Sequence, residues 1–386
     1  MGDRIQRAWE RVRQMRLLIE THRGEADDLR HLPDAIAQAF VEANVYRLLV
    51  PEEFGGEGID PVTYYDLAEE VSSYDGSVGW NYAIGATGGV VAGGLPAQQM
   101  RDILGSPDCG VAGGGAPVGR AVAQEGGYRL TGRWGWASGI HHAKWAIAYC
   151  PVYDGERPRL SAEGVPIVLG FITPKQACTV LDTWHVGGMR ATGSTEFELH
   201  DVFVPQEMVL RLLSGESRLP HPIFRMPASF FGFNHCCVLT GIARHAIAGL
   251  RTLAETKTSP MAGISLREDV GGQYAVAKAQ ALVESSGLNV RDSFRMLWEK
   301  VVAGEAVPLE MKARVRRACA HATECAVEAV DLCYRAACGS AVFESAPFER
   351  ALRDVHAAAS RITLRQTMME EAGRVAFGLR PRSPLF

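Results

Sequence analysis

From Asp3 to about Met100 the apolar residues recur at steps of three and four, as in Ile36, Phe40, Val41 and Val45 and again in Tyr64, Leu67, Ala68 and Val71. Those steps place side chains on one face of a helix. The run is broken at Leu48 to Gly58, LLVPEEFGGEG, where one proline and three glycines in eleven residues make helix costly and a loop cheaper. Between about Gly110 and Glu207 the pattern shifts to short β-rich runs, Tyr128 to Leu130, Trp145 to Val152, Val165 to Ile172 and Glu196 to Val204, parted by glycine, proline and aspartate. In the last of these, Phe197, Leu199 and Val202 alternate with Glu198 and His200, and a change of phase near Asp201 predicts a bulge. Past Pro227 helical spacing returns over roughly 228–255, 269–302, 308–339 and 346–378, with Pro260 and Gly263, Gly304 and Pro308, and Gly339 and Pro347 at the breaks. The predicted fold class is α+β, in the order all-α domain (1–109), β domain (110–215) and four-helix bundle (216–386).

Composition narrows the partners. With 386 residues, 47% apolar and 22% charged, the chain is large enough for two or three lobes. Its net charge of −4 is spread over both signs, so neither nucleic acid nor a membrane surface is expected as a partner, and a small molecule is. The N-terminal stretch is charged throughout, and no later run reaches about 18 uncharged apolar residues, so a cytoplasmic protein is expected. Nine cysteines lie in apolar or helical stretches without metal-type pair spacing and read as reduced core residues.

The histidines show no HExxH or comparable ligand spacing and no GxSxG elbow precedes a helix, which leaves metal catalysis and serine hydrolysis without support. GVAGGGAP, Gly110 to Pro117, has glycine enough to let backbone approach a cofactor, or to make a flexible turn, but neither Rossmann nor Walker spacing. The richest stretch is Gly132 to Ile147, GRWGWASGIHHAKWAI. An indole to lie against a ring, followed by small residues that let backbone donors reach heteroatoms, suits a large planar cofactor; an aromatic-rich β core would use the same residues.

That segment resembles the flavin-binding strand of acyl-CoA dehydrogenases, in which a Trp-Ile-Thr-Asn run meets the isoalloxazine. Trp136 matches the family tryptophan, Ser138 its hydroxyl residue and Trp145 the tryptophan nine residues on. Three further segments agree in order: LLVPEEFGGEG (48–58) with the loop between early helices, GGMRATGSTEFELHDVFVP (187–205) with a Gly-Met/Ile-Arg-x-Thr/Ser run and its strand end, and PFERALRDVHAA (347–358) with a helix carrying an Arg-Asp pair. The resemblance implies an N-terminal helical domain, a central β-barrel-like domain and a C-terminal four-helix bundle. It also implies a flavin beside Trp136, with Ala137 next to it and Ser138 bonding near its central nitrogen.

The common dehydrogenase glutamate, nine residues after the arginine of the pair, falls on Ile362 here, so the usual carboxylate base is missing. VSSYDGSVGWNYAIG (71–85), which holds Trp80, the Ala-Pro of GGGAPVGRA (113–121) and Ala137-Ser138-Gly139 look instead like the two-component hydroxylases of this fold. Those enzymes take reduced flavin from a separate reductase and, with O2, insert one oxygen into a substrate.

The resemblance makes Trp136, Ala137, Ser138, Gly115, Ala116 and Arg190 the expected flavin residues, with Thr192 and Ser194 offering hydroxyls nearby. It makes Trp80, His141 and His235 the expected substrate residues. His356 is the candidate base, assisted by Ser138, and Arg361, at the place where a hydroxylase histidine would stand, is the candidate to offset a negative charge. The cofactor is FAD or FMN; the Arg-x-x-Phe-Gly clamp for the FAD pyrophosphate has no counterpart in ETKTSPMAGISLRED (255–269). A homotetramer, as a dimer of dimers, is implied. Three readings remain open: the flavin monooxygenase, an FAD-dependent acyl-thioester dehydrogenase with a displaced base, and a non-catalytic binding protein.

Overall fold

The computed structural model describes residues 2–210, 219–227, 230–258, 263–383 and 386, Phe231 by its backbone alone. The expected domain boundary at 215/216 and the expected break at Pro260 lie outside the described residues. The helices are α1 (Gly2–Thr21), α2 (Arg23–Leu29), α3 (Asp34–Glu42), α4 (Pro61–Tyr74), α5 (Gly76–Ala92), α6 (Ala97–Leu104), α7 (Phe230–Thr256), α8 (Val270–Val302), α9 (Leu309–Ala337), α10 (Pro347–Ala359) and α11 (Gln366–Ala376). The strands are β1 (Val111–Gly114), β2 (Arg120–Gln124), β3 (Gly127–Trp134), β4 (Trp145–Asp154), β5 (Arg157–Pro158), β6 (Val168–Pro174), β7 (Thr179–Val180), β8 (Phe197–Pro205) and β9 (Val209–Leu210).

The expected order of helices, sheet and helices is present, and by compactness the chain forms two units. The first comprises 1–60, 84–185 and 190–225, so the first three helices and the sheet belong together. Its strands make one mixed sheet in the order β7-β8-β3-β2-β4-β6-β9, with β1 and β5 also on β4. The sheet has two end strands and is open, although it encloses a dense core in which Trp134 stacks on Phe197 at 5.4 Å and Tyr128 meets Phe171 edge-on at 5.2 Å. The expected bulge is present: Leu130 pairs with Val202 and Gly132 with Leu199, so β8 carries one residue more than β3 over this step. Asp201 takes φ +53° there, a conformation its short polar side chain tolerates, and its backbone N–H donates to Thr131 Oγ1 at 3.1 Å.

The second unit comprises 61–83, 186–189 and 226–386. The helix starts follow their caps: Asp75 accepts from the N–H groups of Ser77 (2.9 Å) and Val78 (3.1 Å) at the head of α5, and Asp269 from Gly272 (2.7 Å) at the head of α8. Three of the expected long helices appear as α7, α8 and α9, while the fourth is two, α10 and α11, separated by a turn at Ser360–Arg365. That turn has neither glycine nor proline, and no local signal marks it. No helix among the described residues is long and apolar enough to cross a membrane.

Candidate active site

In the first unit the chemistry collects where β3 ends. Two residues separate opposite fates: Trp134 is fully buried with its indole N–H donating to Tyr149 O at 3.0 Å, whereas Trp136 is 62% exposed. Trp136 also holds φ +64°, a left-handed conformation that costs a side-chain-bearing residue about 1–2 kcal/mol. Such strain persists only where neighbours over-determine it, and it gathers at functional sites. The neighbours are visible: Ala137 N–H donates to Thr195 O (3.1 Å) and Gly139 N–H to Thr192 O (3.0 Å), pinning the turn to the 192–195 segment.

Under that turn lies a chain of hydroxyls. The buried Ser138 Oγ is 2.7 Å from Ser194 Oγ, which is 2.7 Å from Thr192 Oγ1. Each hydroxyl can both donate one proton and accept, so the chain can run in either direction. Trp184 meets Trp136 edge-on at 5.5 Å and 77°, and its indole N–H donates to Arg190 O at 3.1 Å. Trp184 carries no pattern in the sequence, being a lone tryptophan in an irregular segment. The Arg190 guanidinium donates twice to Asp27 O, at 3.1 and 3.2 Å, and ties the turn to α2.

The glycine-rich run divides. A Cβ at Gly113 would sit 2.1 Å from Ile147 O and one at Gly114 2.2 Å from Gly135 O, so both are required by the sheet itself. Gly115 has nothing within 4 Å, and with Ala116 it lies in an exposed turn. His141 turns to His31, stacking at 4.4 Å and 21°, and burial together with His31 lowers its pKa to about 4. Burial lowers His142 to about 3.

In the second unit Trp80, His235 and Arg361 come together. The rings of Trp80 and the buried His235 are 4.7 Å apart, and the Arg361 guanidinium lies 5.8 Å over the indole. Asp75, which caps α5 one and a half turns before Trp80, is also 3.4 Å from Arg350 on α10. His356 is elsewhere: its side chain is half exposed and its Nε2 is 3.2 Å from Asp331 on α9. Ile362 is 56% exposed. Two of the family-like segments prove to be one contact: Met189 N–H donates to Asp354, Arg353 donates to Gly187 O, and a Cβ at Gly188 would lie 2.2 Å from Arg353 O.

The first-unit group suits a planar heterocycle with polar edges: an exposed indole held out by a strained backbone, small residues beside it, and a buried hydroxyl chain.

Comparison with known proteins agrees with that chemistry. Residues 9–101 match the model of the acyl-CoA dehydrogenase N-terminal domain and 233–366 that of the C-terminal domain. The oxygenase subunit HsaA, a flavin-dependent monooxygenase of Rhodococcus jostii, is 31% identical over 351 residues, covering 86% of this chain and 88% of that protein. Indole-3-acetate monooxygenase of Pseudomonas putida is 29% identical over 363 residues, covering 93% and 90%. Among solved structures, XiaF from Streptomyces sp., in complex with FADH2 and glycerol, superposes with a TM-score of 0.91 at 27% identity, covering 99% of this chain and 98% of that one.

Proposed function

The chain belongs to the flavin-dependent monooxygenases built on the acyl-CoA dehydrogenase fold, and from that premise we propose how its own residues serve the reaction. Its cofactor is a reduced flavin, FAD or FMN, and its cosubstrate O2. The substrate is a small organic molecule, of aromatic, polyketide-type or CoA-linked character, and a separate reductase delivers the flavin. When bound, the reduced flavin supplies the two electrons that split dioxygen, one oxygen atom going to the substrate and the other leaving as water.

Trp136 offers the face on which the flavin ring stacks, and Ala137, Gly115 and Ala116 leave room for it. Ser138 holds a proton at its Oγ, able to give or take it because Ser194 and Thr192 continue the hydroxyl chain. Arg190 acts indirectly, anchoring Trp184 through its carbonyl and the turn through Asp27. The observation that carries this reading is the strained, exposed indole on the same turn as Ser138 and its buried hydroxyl chain.

On the second unit Trp80 and His235 receive the body of the substrate and keep water from it. His356 is left out of the chemistry, because Asp331 and solvent already hold it, and His141 is left out because its ring is spent on His31. A cytoplasmic homotetramer is the expected setting; Tyr274, Leu288 and Val302, exposed at fourteen-residue steps along α8, form a stripe that a second copy would cover.

The test is rapid mixing with oxygen. Reduced FAD or FMN, premixed with the protein without air, is expected to reoxidise with kinetics clearly different from the free flavin. Identical kinetics with and without protein would sink the proposal.

A further inference from the structure

We propose that Trp80, His235 and Arg361 form an anion subsite that selects an aromatic substrate bearing a carboxylate, with Arg361 as the residue that determines the choice. The inference rests on reading these residues as the substrate side of an oxygenase, and it adds the substrate's charge.

Arg361 differs from most arginines of its unit. Arg244, Arg291, Arg314, Arg350 and Arg353 each pair with a carboxylate. Among the described residues no carboxylate pairs with Arg361, its buried Nε has no hydrogen-bond partner, and the Trp80 ring lies 5.8 Å from its guanidinium. A guanidinium shielded from water is unfavourable unless an anion meets it, and a cation over an indole offsets only part of that loss. Burial lowers the group's pKa to about 10, so it stays charged at neutral pH.

The backbone that carries the side chain is held in place: in the turn between α10 and α11, Arg361 N–H donates to Ala358 O at 3.2 Å and Leu364 N–H to Arg361 O at 2.9 Å. A planar fork on a fixed stem suits a planar carboxylate, which it can meet with two parallel hydrogen bonds. The two rings beside it, 4.7 Å apart and inclined at 48°, supply an aromatic wall for the rest of the molecule. One cation against one carboxylate leaves the pair neutral, and a neutral pair tolerates such a site far better than either ion alone.

Naphthalene-2-carboxylate and its isosteric neutral amide, naphthalene-2-carboxamide, are titrated calorimetrically into the full chain, wild type, Arg361→Gln and Arg361→Lys. Reduced FAD binding is measured on the same samples. The carboxylate is expected to bind wild type at least about tenfold more tightly than the amide. The preference is expected to vanish in Arg361→Gln and to persist, weakened, in Arg361→Lys, with flavin affinity unchanged in all three. Should Arg361→Gln fail to fold, the wild-type preference and its survival in Arg361→Lys decide the matter. Equal binding of the two probes, binding of neither, or a preference that survives Arg361→Gln overturns the subsite. So does a loss of flavin affinity in that variant, which would assign the anion to the cofactor. A wild-type chain that takes up no flavin fails the oxygenase reading itself, whereas one that binds flavin and ignores the probe's charge fails the subsite alone.

Discussion

Trp136 and Trp134 show how little separates a core residue from a binding one. Both are tryptophans at the end of one strand, yet a single turn into left-handed φ puts one indole in the sheet and the other in solvent. The alternation of faces along a strand would have sent both to the same side, so the reversal is local and depends on the hydrogen bonds from the 192–195 segment. His142 provides a different residue-scale consequence. In the unfolded chain it takes up a proton near its ordinary pKa of 6.5, whereas folded it does so only near 3, because burial opposes the charge. Between those values the unfolded chain binds more protons, so stability falls as the pH is lowered through that window. The thermal midpoint is expected to drop from pH 7 to pH 5, and His142→Gln to flatten that slope; an equal slope in the variant would contradict the assignment. Single residues were legible where chemistry and spacing coincided, as at Trp136 and Ser138. The stacking of His141 on His31 was not, since nothing in the 109 positions between them encodes that the two histidines will meet.

At the scale of elements, the GGM turn at 187–189 and the Arg353-Asp354 pair of α10 are one device. The turn comes close enough that Asp354 accepts the Met189 N–H, and only a glycine at 188 permits the approach. Gly188→Ala is expected to lower unfolding stability by about 1–3 kcal/mol through overpacking against the Arg353 backbone. Gly187→Ala, whose Cβ would meet nothing within 4 Å, should leave it nearly unchanged. Denaturant titration of the two variants reads the contrast, and equal stabilities would show that the contact does not constrain the turn. The sequence signalled most elements well: the loop at 48–58, the phase change at Asp201 and the proline and glycine breaks among the long helices. It did not signal the turn dividing α10 from α11, because Ser360-Arg361-Ile362-Thr363 has no residue that forbids helix. Tertiary packing ended that helix where propensity did not, and the ending positions Arg361.

For the whole molecule, the family fixes the type of reaction, and each unit has its own cluster of polar and aromatic side chains. The first unit holds the exposed indole, the small residues and the hydroxyl chain; the second holds Trp80, His235 and Arg361. The expected order of helices, sheet and helices holds along the chain, while α4 and the start of α5 fall in the unit of the C-terminal helices, α4 packing on α7 and Trp80 meeting His235 of α7. No local sequence pattern reports such a partition, which is decided by which faces meet. The claim on which the account turns is that the flavin ring rests on Trp136. Anaerobic titration of reduced FAD or FMN into wild type and Trp136→Ala, followed by flavin fluorescence or calorimetry, tests it most directly. Loss of a stacked indole is expected to weaken binding by at least about tenfold, in line with the 0.5–1.5 kcal/mol of the aromatic pair together with its buried area. Undiminished affinity in a folded Trp136→Ala protein would contradict it.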